Sequence, residues 1–171
     1  MYNKLKQLLK IRGMKLVIEI ILILIVFFSV KWYTQRDLVN NIPPDFKATL
    51  LNGQPVNHTS LKENPVLLHF WASWCPVCDL EKDSIEAISK DHHVISVAMN
   101  SGTDMEVKNY LEKNNLSFPT IVDEKGKLAK KFGVRGVPVS FIINSNGEIA
   151  FTEKGFTTEY GLRFRLWLTS L

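Results

Sequence analysis

The sequence predicts an α/β domain, a mixed sheet with helices on both faces, preceded by one transmembrane helix. Two continuous apolar runs of strand length, 66–71 and 94–99, flank a segment with helical periodicity. Further helices, a strand–turn–strand pattern and a final amphipathic helix follow, an alternation typical of a sheet covered by helices. Ahead of them, Leu16 to Tyr33 form a mostly apolar stretch of 18 residues, which Glu19 interrupts near its start. As a helix this stretch would be about 27 Å long, close to the thickness of a bilayer core.

The N-terminal segment predicts the orientation of that helix. Residues 1–15 contain five basic side chains and no acidic one, so this basic tail is expected to stay in the cytoplasm. The chain after the anchor at 16–33 would then be exported, and the protein would be a single-pass protein of the inner membrane with a periplasmic domain. The alternative is a cleaved signal peptide with an apolar core at 20–30. Lys31 stands where a cleavage site needs a small residue, which favours the uncleaved anchor.

The charge balance of the chain after its first 15 residues excludes a strongly basic surface. Of the 21 lysines and arginines, five precede Leu16, which leaves 16 against 17 acidic residues. Nucleic acid is therefore not an expected partner. Residues 34–44 are polar and end in Pro43 and Pro44, as expected of a linker, and 45–171 would form one domain.

The elements of this domain follow in order from local signals. Asn52-Gly53 predicts a small hairpin within 48–57. The apolar run 66–71 predicts a buried strand, followed by a helix over about 76–90 and a second strand at 94–99. Thr103 and Glu106 form a capping box that opens a helix to about Asn114. The remaining predictions are a short helix, a strand, a second strand after a turn, and a terminal amphipathic helix, at 126–133, 138–143, 148–155 and 158–171.

Cys75 and Cys78 are the only cysteines and have the Cys-x-x-Cys spacing. A structural zinc site would need two histidines at suitable spacing, and the chain offers only His58, His69 and the adjacent pair His92 and His93. No metal site is therefore predicted. A disulfide that closes so short a loop would stabilise the fold by only about 2 kcal/mol on the chain-entropy model. A redox pair at the junction of a strand and a helix is the better interpretation.

The position of each cysteine predicts its role. Cys75 falls at the helix N-terminus, where free backbone N–H groups and the helix dipole favour a thiolate. Pro76 suits the first helical position because its missing N–H costs nothing there. We therefore expect Cys75 to attack a substrate disulfide and Cys78, one turn later, to resolve the mixed disulfide.

Two stretches, "FWASWCPVC" (70–78) and "FGVRGVPVSFIINSNGEI" (132–149), resemble the thioredoxin-like fold. The resemblance extends from about Asp45 to the end. It is closest to the membrane-anchored, extracytoplasmic branch that serves cytochrome c maturation and suppression of copper sensitivity. Peroxiredoxins are less similar, because their Pro-x-x-x-Thr-x-x-Cys signature is absent. The resemblance implies a protein-disulfide oxidoreductase without a cofactor.

Glu81 is the third predicted catalytic residue. A helical projection places it within an apolar stripe, with its side chain directed back toward Cys78. Burial there would raise the pKa of Glu81 and let it relay the proton of Cys78. The alternative is a carboxylate that reaches water. The extracytoplasmic reductases of the family named above resemble this chain in having a Glu three residues after the second cysteine. The projection places Lys82, Glu86, Ser89 and Lys90 on the opposite, outer face, and the stripe contains Val77, Leu80, Ser84, Ile85, Ala87 and Ile88.

His69 and Pro138 complete the predicted site. His69 stands where thioredoxin carries a buried acid, and a hydrogen-bonded core role is favoured over proton transfer. X-Pro bonds are cis in only about 5 to 6 per cent of cases, so the resemblance alone predicts a cis Pro138 facing the cysteines. Val137 would then offer its backbone N–H and C=O groups to an extended substrate segment. Trp74 and Pro76, on either side of Cys75, are expected to contact substrate.

The sequence favours a reductase over an oxidant. The residues between the cysteines include no histidine to stabilise the thiolate further, which is what a strong oxidant needs. A reductase of exported proteins must be re-reduced, and the resemblance implies a membrane thiol:disulfide interchange protein as electron donor. Whether the substrates are apocytochrome c or copper-damaged proteins stays open. The alternative is a Cu(I) carrier or sensor that uses the same thiolates, although neither Met99 nor Met105 adjoins the pair.

Overall fold

The computed structural model divides the chain into two compact units, Met1–Arg36 and Asp37–Leu171. It describes residues 2–35, 38–62 and 64–171, and within the first unit it describes side chains only for 14–30. That unit is one helix, α1 (Tyr2–Gln35), and its described side chains are exposed.

None of the helices, as far as their residues are described, is both long enough and apolar enough to cross a membrane. The first 13 residues of the predicted basic tail and the last three residues of the predicted span, 31–33, lie outside the described side chains.

The strands of the second unit are β1 (Lys47–Thr49), β2 (Pro55–Asn57), β3 (Val66–Trp71), β4 (His93–Met99), β5 (Thr120–Asp123), β6 (Val139–Ile143) and β7 (Ile149–Lys154). Five of them form a mixed sheet in the order β5-β4-β3-β6-β7. The first three in this order run parallel, and β6 and β7 are antiparallel to their neighbours. A separate antiparallel hairpin joins β1 to β2.

Helices cover both faces of this sheet, as the sequence predicts. The helices of this unit are α2 (Pro76–Ser89), α3 (Asp104–Lys113), α4 (Lys127–Lys131) and α5 (Glu159–Thr169), and a 3₁₀ turn spans His58–Leu61. Every residue of β3 is buried, and its alternate side chains enter two separate cores. Leu68 and Phe70 pack in a cluster with α4, whereas Leu67 and Trp71 pack in a cluster with α2, α3 and α5.

Local signals located most of these elements correctly. The Asn52-Gly53 hairpin forms, and Thr103 and Glu106 make the predicted capping box at the start of α3. The short edge strand β5 was not predicted. Packing also begins before the predicted domain start at residue 45, because Leu38 is buried in the core and Val39 donates to the carbonyl of Phe132.

The inward face of α2 differs from the predicted stripe. Glu81, Ile85 and Ile88 are buried as expected, but Val77 is exposed and Leu80 is 72% exposed. Glu86, which the projection placed on the outer face, is buried instead. The prediction for Val77 and Leu80 was wrong because both side chains, near the start of α2, point toward solvent, whereas the carboxylates of Glu81 and Glu86 occupy inward positions.

Candidate active site

Cys75 lies where the chain leaves the sheet and enters α2. It is the N-cap residue of that helix, and its Sγ accepts a hydrogen bond from the backbone N–H of Cys78 at 3.2 Å. A sulfur that accepts an amide hydrogen bond at a helix N-terminus is stabilised in its thiolate form. Both cysteines are buried and free rather than joined in a disulfide.

Cys78 has the opposite preference. Burial raises the pKa of the Cys78 thiol, and its contact with Cys75 and the negative charge of Glu81 raise it further. A hydrogen bond to the backbone at Ala72 acts in the other direction without reversing the effect. The two sulfurs therefore have different environments, because Cys75 accepts a backbone N–H at a helix N-terminus whereas burial favours the protonated form of Cys78.

The loop before β6 brings a backbone carbonyl to Cys75. The Val137–Pro138 peptide bond is cis, as the resemblance implies. The thiol of Cys75 donates to the carbonyl oxygen of Val137 at 3.5 Å, and the carbonyl of Pro138 accepts from the N–H of Gly155 at 2.9 Å. The Val137 backbone therefore borders the sulfur that a substrate would reach.

The two tryptophans of the motif have different environments. Trp71 is buried, and its Nε1 donates to Ser96 Oγ at 3.1 Å. Trp74 is 58% exposed, and its indole N–H donates to the carbonyl of Asn100 at 2.9 Å. Together with the exposed Pro76 and Leu80, Trp74 gives the surface beside the thiols an apolar character that the sequence reasoning only partly foresaw.

Glu81 is buried beneath this surface, at 1% exposure. Its Oε2 accepts a hydrogen bond from the backbone N–H of Thr157 at 3.1 Å, and within the described part of the chain its Oε1 has no hydrogen-bond partner. Burial raises the pKa of Glu81 to about 7, although the bond from Thr157 opposes the rise. The side chain is therefore divided between its acid and its carboxylate near neutral pH.

His69 lies on β3, next to Glu81. Its strand register places it opposite Ser140 on β6, and its Nδ1 lies 2.9 Å from Ser140 Oγ. Its Nε2 lies 3.9 Å from Glu81 Oε1. Burial lowers the pKa of His69 to about 3, so the imidazole is neutral.

The sequence reasoning missed two partners of these side chains. The sequence contained an indication for Ser140, because it is the only polar residue in the apolar run of β6, as His69 is in β3. It contained no indication for Thr157, because that residue contributes a backbone N–H from a loop far along the chain.

The arrangement supports exchange between a dithiol and a disulfide. It combines a sulfur at a helix N-terminus that accepts a backbone hydrogen bond, a second sulfur whose thiol pKa is raised by burial, and a buried carboxyl group with a pKa of about 7. The described residues include no group of three or more histidine, cysteine, aspartate or glutamate side chains that could hold a metal ion.

Comparisons with known proteins agree with this chemistry. The family model for Redoxin matches residues 38–162. A thioredoxin-like protein of Haemophilus influenzae is 34% identical over 169 residues, which cover 96% of each chain. The thiol-disulfide oxidoreductase ResA of Bacillus thuringiensis is 32% identical over 120 residues, covering 68% of this chain and 69% of ResA. The crystal structure of StoA from Bacillus subtilis superposes with a TM-score of 0.60 at 30% identity, over 72% of this chain and 97% of StoA.

Proposed function

The chain belongs to the Redoxin family, and we propose that this thiol:disulfide oxidoreductase is tethered to a membrane and reduces disulfide bonds in exported proteins. The observation that carries the proposal is the inequality of the two sulfurs. Cys75 accepts the amide hydrogen bond of a helix N-terminus, whereas burial raises the pKa of the Cys78 thiol.

The exchange proceeds in two displacements. The Cys75 thiolate attacks one sulfur of a substrate disulfide, so that the substrate S–S bond breaks, a mixed disulfide forms, and the other substrate sulfur leaves as a thiolate that takes a proton. Cys78 then loses its proton and attacks Cys75 Sγ, which releases the second substrate thiolate. Two electrons have passed to the substrate, and Cys75 and Cys78 are left joined as a disulfide.

Glu81 is the proposed acceptor of the Cys78 proton. It lies one turn after Cys78 on the same buried face of α2, and its charge influences the pKa of that thiol. A carboxyl group with a pKa of about 7 can accept a proton in one half of the cycle and return it in the other.

The proposed direction is reduction, with a membrane thiol:disulfide interchange protein as electron donor. Pro76 and Val77, between the cysteines, offer no additional donor to the thiolate, and such stabilisation is what drives strong oxidants. Names of relatives such as ResA support the oxidoreductase class. Apocytochrome c and copper-damaged proteins are the two proposed substrate classes.

Capture of partners tests the function. In the full-length Cys78→Ala variant, mixed disulfides at Cys75 should persist, because the resolving thiol is absent. We expect trapped exported proteins together with a membrane donor, and none of them in a matched Cys75→Ala, Cys78→Ala variant. The identity of the trapped proteins would separate the two substrate classes. Tight Cu(I) binding by the reduced protein, without any exchange activity, would instead support the copper carrier.

The tether needs its own test. Its support is the apolar stretch after a basic tail, together with the exposed side chains of 14–30. Membrane fractions of cells that express the full chain should retain the protein after an alkaline carbonate wash, and protease added outside the inner membrane should digest the domain. Release by the wash, or protection of the domain from protease, would refute the proposed location.

A further inference from the structure

His69 connects two polar groups inside an otherwise apolar region. Its Nδ1 lies 2.9 Å from Ser140 Oγ, and its Nε2 lies 3.9 Å from Glu81 Oε1. All three side chains are buried. The second distance is too long for a direct hydrogen bond, and Oε1 is the carboxylate oxygen that has no partner among the described residues.

A small cavity is lined by both His69 and Cys78. Its volume is about 10 Å³, which is at the lower limit for one water molecule. The other titratable groups that face it are Lys82, held by Asp79 and Asn114, and Tyr110. The lining residues are His69, Trp71, Cys78, Lys82, Ile85, Tyr110, Leu116 and Phe118.

We propose that His69 is a positioning residue that holds an imidazole N–H toward the unpaired oxygen of Glu81 and bonds to it when Glu81 loses its proton. The hydroxyl of Ser140 donates to Nδ1 and thereby fixes the tautomer that carries its proton on Nε2. This inference rests on the proposed role of Glu81 as the acceptor of the Cys78 proton.

The physical basis is the cost of a buried carboxylate. Glu81 receives one hydrogen bond, from Thr157, and burial disfavours its charged form. A second donor at Oε1 would stabilise the carboxylate and keep the acid and carboxylate forms close in free energy near neutral pH. With the opposite tautomer, a lone pair would face Oε1 and favour the acid. Ser140 therefore acts on Glu81 through His69.

The direct measurement is the pKa of Glu81. We suggest ¹³C NMR of the full-length reduced protein in detergent, labelled at the glutamate carboxyl carbon, with the Glu81 signal assigned by its loss in Glu81→Gln. His69→Leu removes the donor, and a hydrogen bond to a charged group contributes about 1.5 to 3 kcal/mol, so the pKa of Glu81 should rise by about one to two pH units. His69→Gln, which places an N–H near the position of Nε2, should restore most of the shift.

Ser140→Ala tests the tautomer independently and changes no group that contacts Glu81 directly. It should raise the pKa of Glu81 by a smaller amount than His69→Leu. Ser96→Ala is the matched control, because Ser96 is an equally buried serine on the next strand whose hydroxyl bonds to Trp71 and Thr120. That control should leave the pKa of Glu81 unchanged.

The outcomes separate this inference from the proposed function. An unchanged pKa of Glu81 in folded His69→Leu and Ser140→Ala proteins would overturn the role of His69. If His69→Leu does not fold, the comparison of Ser140→Ala with Ser96→Ala decides alone. The role of Glu81 itself fails separately, if Glu81→Gln leaves the pH profile of exchange unchanged.

Discussion

Helix α2 carries two buried carboxylates, Glu81 near the cysteines and Glu86 near its C-terminal end, in contrasting environments. Glu86 accepts three hydrogen bonds, from Ser117 Oγ at 2.6 Å, from Ser117 N at 2.7 Å and from Phe118 N at 3.2 Å. Glu81 accepts one, from Thr157 N at 3.1 Å. Exposure hardly distinguishes them, at 9% for Glu86 and 1% for Glu81.

The number of donors decides the chemistry of each group. Burial acts to raise the pKa of both carboxyl groups, but the bonds from Ser117 and Phe118 outweigh it at Glu86, whose pKa is lowered. At Glu81 burial prevails, and the pKa rises to about 7. Glu86 thus stays ionised and joins α2 to the loop before β5, whereas Glu81 exchanges protons near neutral pH.

The largest expected effect concerns the rate of exchange. Glu81→Gln keeps the shape of the side chain but cannot accept a proton, so disulfide exchange at pH 7 should slow by about 100-fold, the low end for general acid–base catalysis. The variant should also lose the dependence on pH that a group with a pKa of about 7 imposes. Stopped-flow reduction of a disulfide substrate measures both.

Glu86→Gln is the matched control for this rate. It makes the same chemical change five positions along the same helix, and it should leave the rate per folded molecule unchanged. Equal slowing in the two variants would show that the loss arises from helix packing rather than proton transfer.

The second effect concerns stability, for which a substitution at Glu86 should have the larger effect and one at Glu81 the smaller. Glu86→Ala removes the acceptor for the N–H groups of Ser117 and Phe118, of which Phe118 is buried, so the free energy of unfolding should fall by about 2 to 3 kcal/mol. Glu81→Gln, compared at pH 4 where folded Glu81 is in its acid form, should cost less than about 1 kcal/mol, because only the bond from Thr157 is affected. Urea unfolding of the reduced protein measures both values. A larger loss at Glu81 would contradict the comparison.

These two carboxylates also show which features of the site could be predicted from the sequence alone. The burial of Glu81 was predictable because Ile85 and Ile88 follow it at helical spacing. The role of Glu86 was not, because its donors lie 31 and 32 residues away in a loop whose position depends on the whole fold. The register of His69 with Ser140 likewise requires the order of the strands, which no local pattern contains.

The errors have a common physical cause. Periodicity assigns apolar residues to the core, but it does not reveal which apolar side chains of a helix face solvent, and Leu80 on α2 is exposed. Strand β5 escaped detection because it has only four residues and includes Asp123, whose carboxylate accepts from the N–H of Ala129. The central strands were predictable because their runs are longer and wholly apolar apart from one residue each.

The third prediction concerns the pH dependence of stability, to which Glu81 and Glu86 should contribute with opposite signs. The raised pKa of Glu81 means that its contribution to stability is present below the unfolded value of about 4.3 and is lost as the pH rises through about 7. Wild type should therefore become less stable than Glu81→Gln between pH 5 and 8, by about 1 to 3 kcal/mol. The lowered pKa of Glu86 has the opposite sign, so its contribution is present above about 4.3 and is lost as the pH falls.

Unfolding curves at pH 3, 5 and 8 for wild type, Glu81→Gln and Glu86→Gln measure these slopes. The stability difference between wild type and Glu86→Gln should shrink toward pH 3. The difference for Glu81→Gln should instead grow toward pH 8. Parallel curves for all three proteins would show that neither carboxyl group has a pKa that differs between the folded and unfolded states.

The smallest effect isolates one bond of Glu86. Ser117→Ala removes the hydroxyl that donates to Glu86 Oε1 but leaves both backbone donors, so the loss in stability should be about 1 kcal/mol. In the Glu86→Ala background the same change should cost almost nothing, because the acceptor is gone, and this double-mutant cycle gives the coupling directly. Additive losses would mean that Ser117 stabilises the loop by another contact.

No equivalent side-chain cycle exists for the hydrogen bond that Glu81 accepts from Thr157, because its donor is a backbone N–H. That bond therefore survives any ordinary substitution at position 157 except proline, whereas a single hydroxyl adjusts the environment of Glu86.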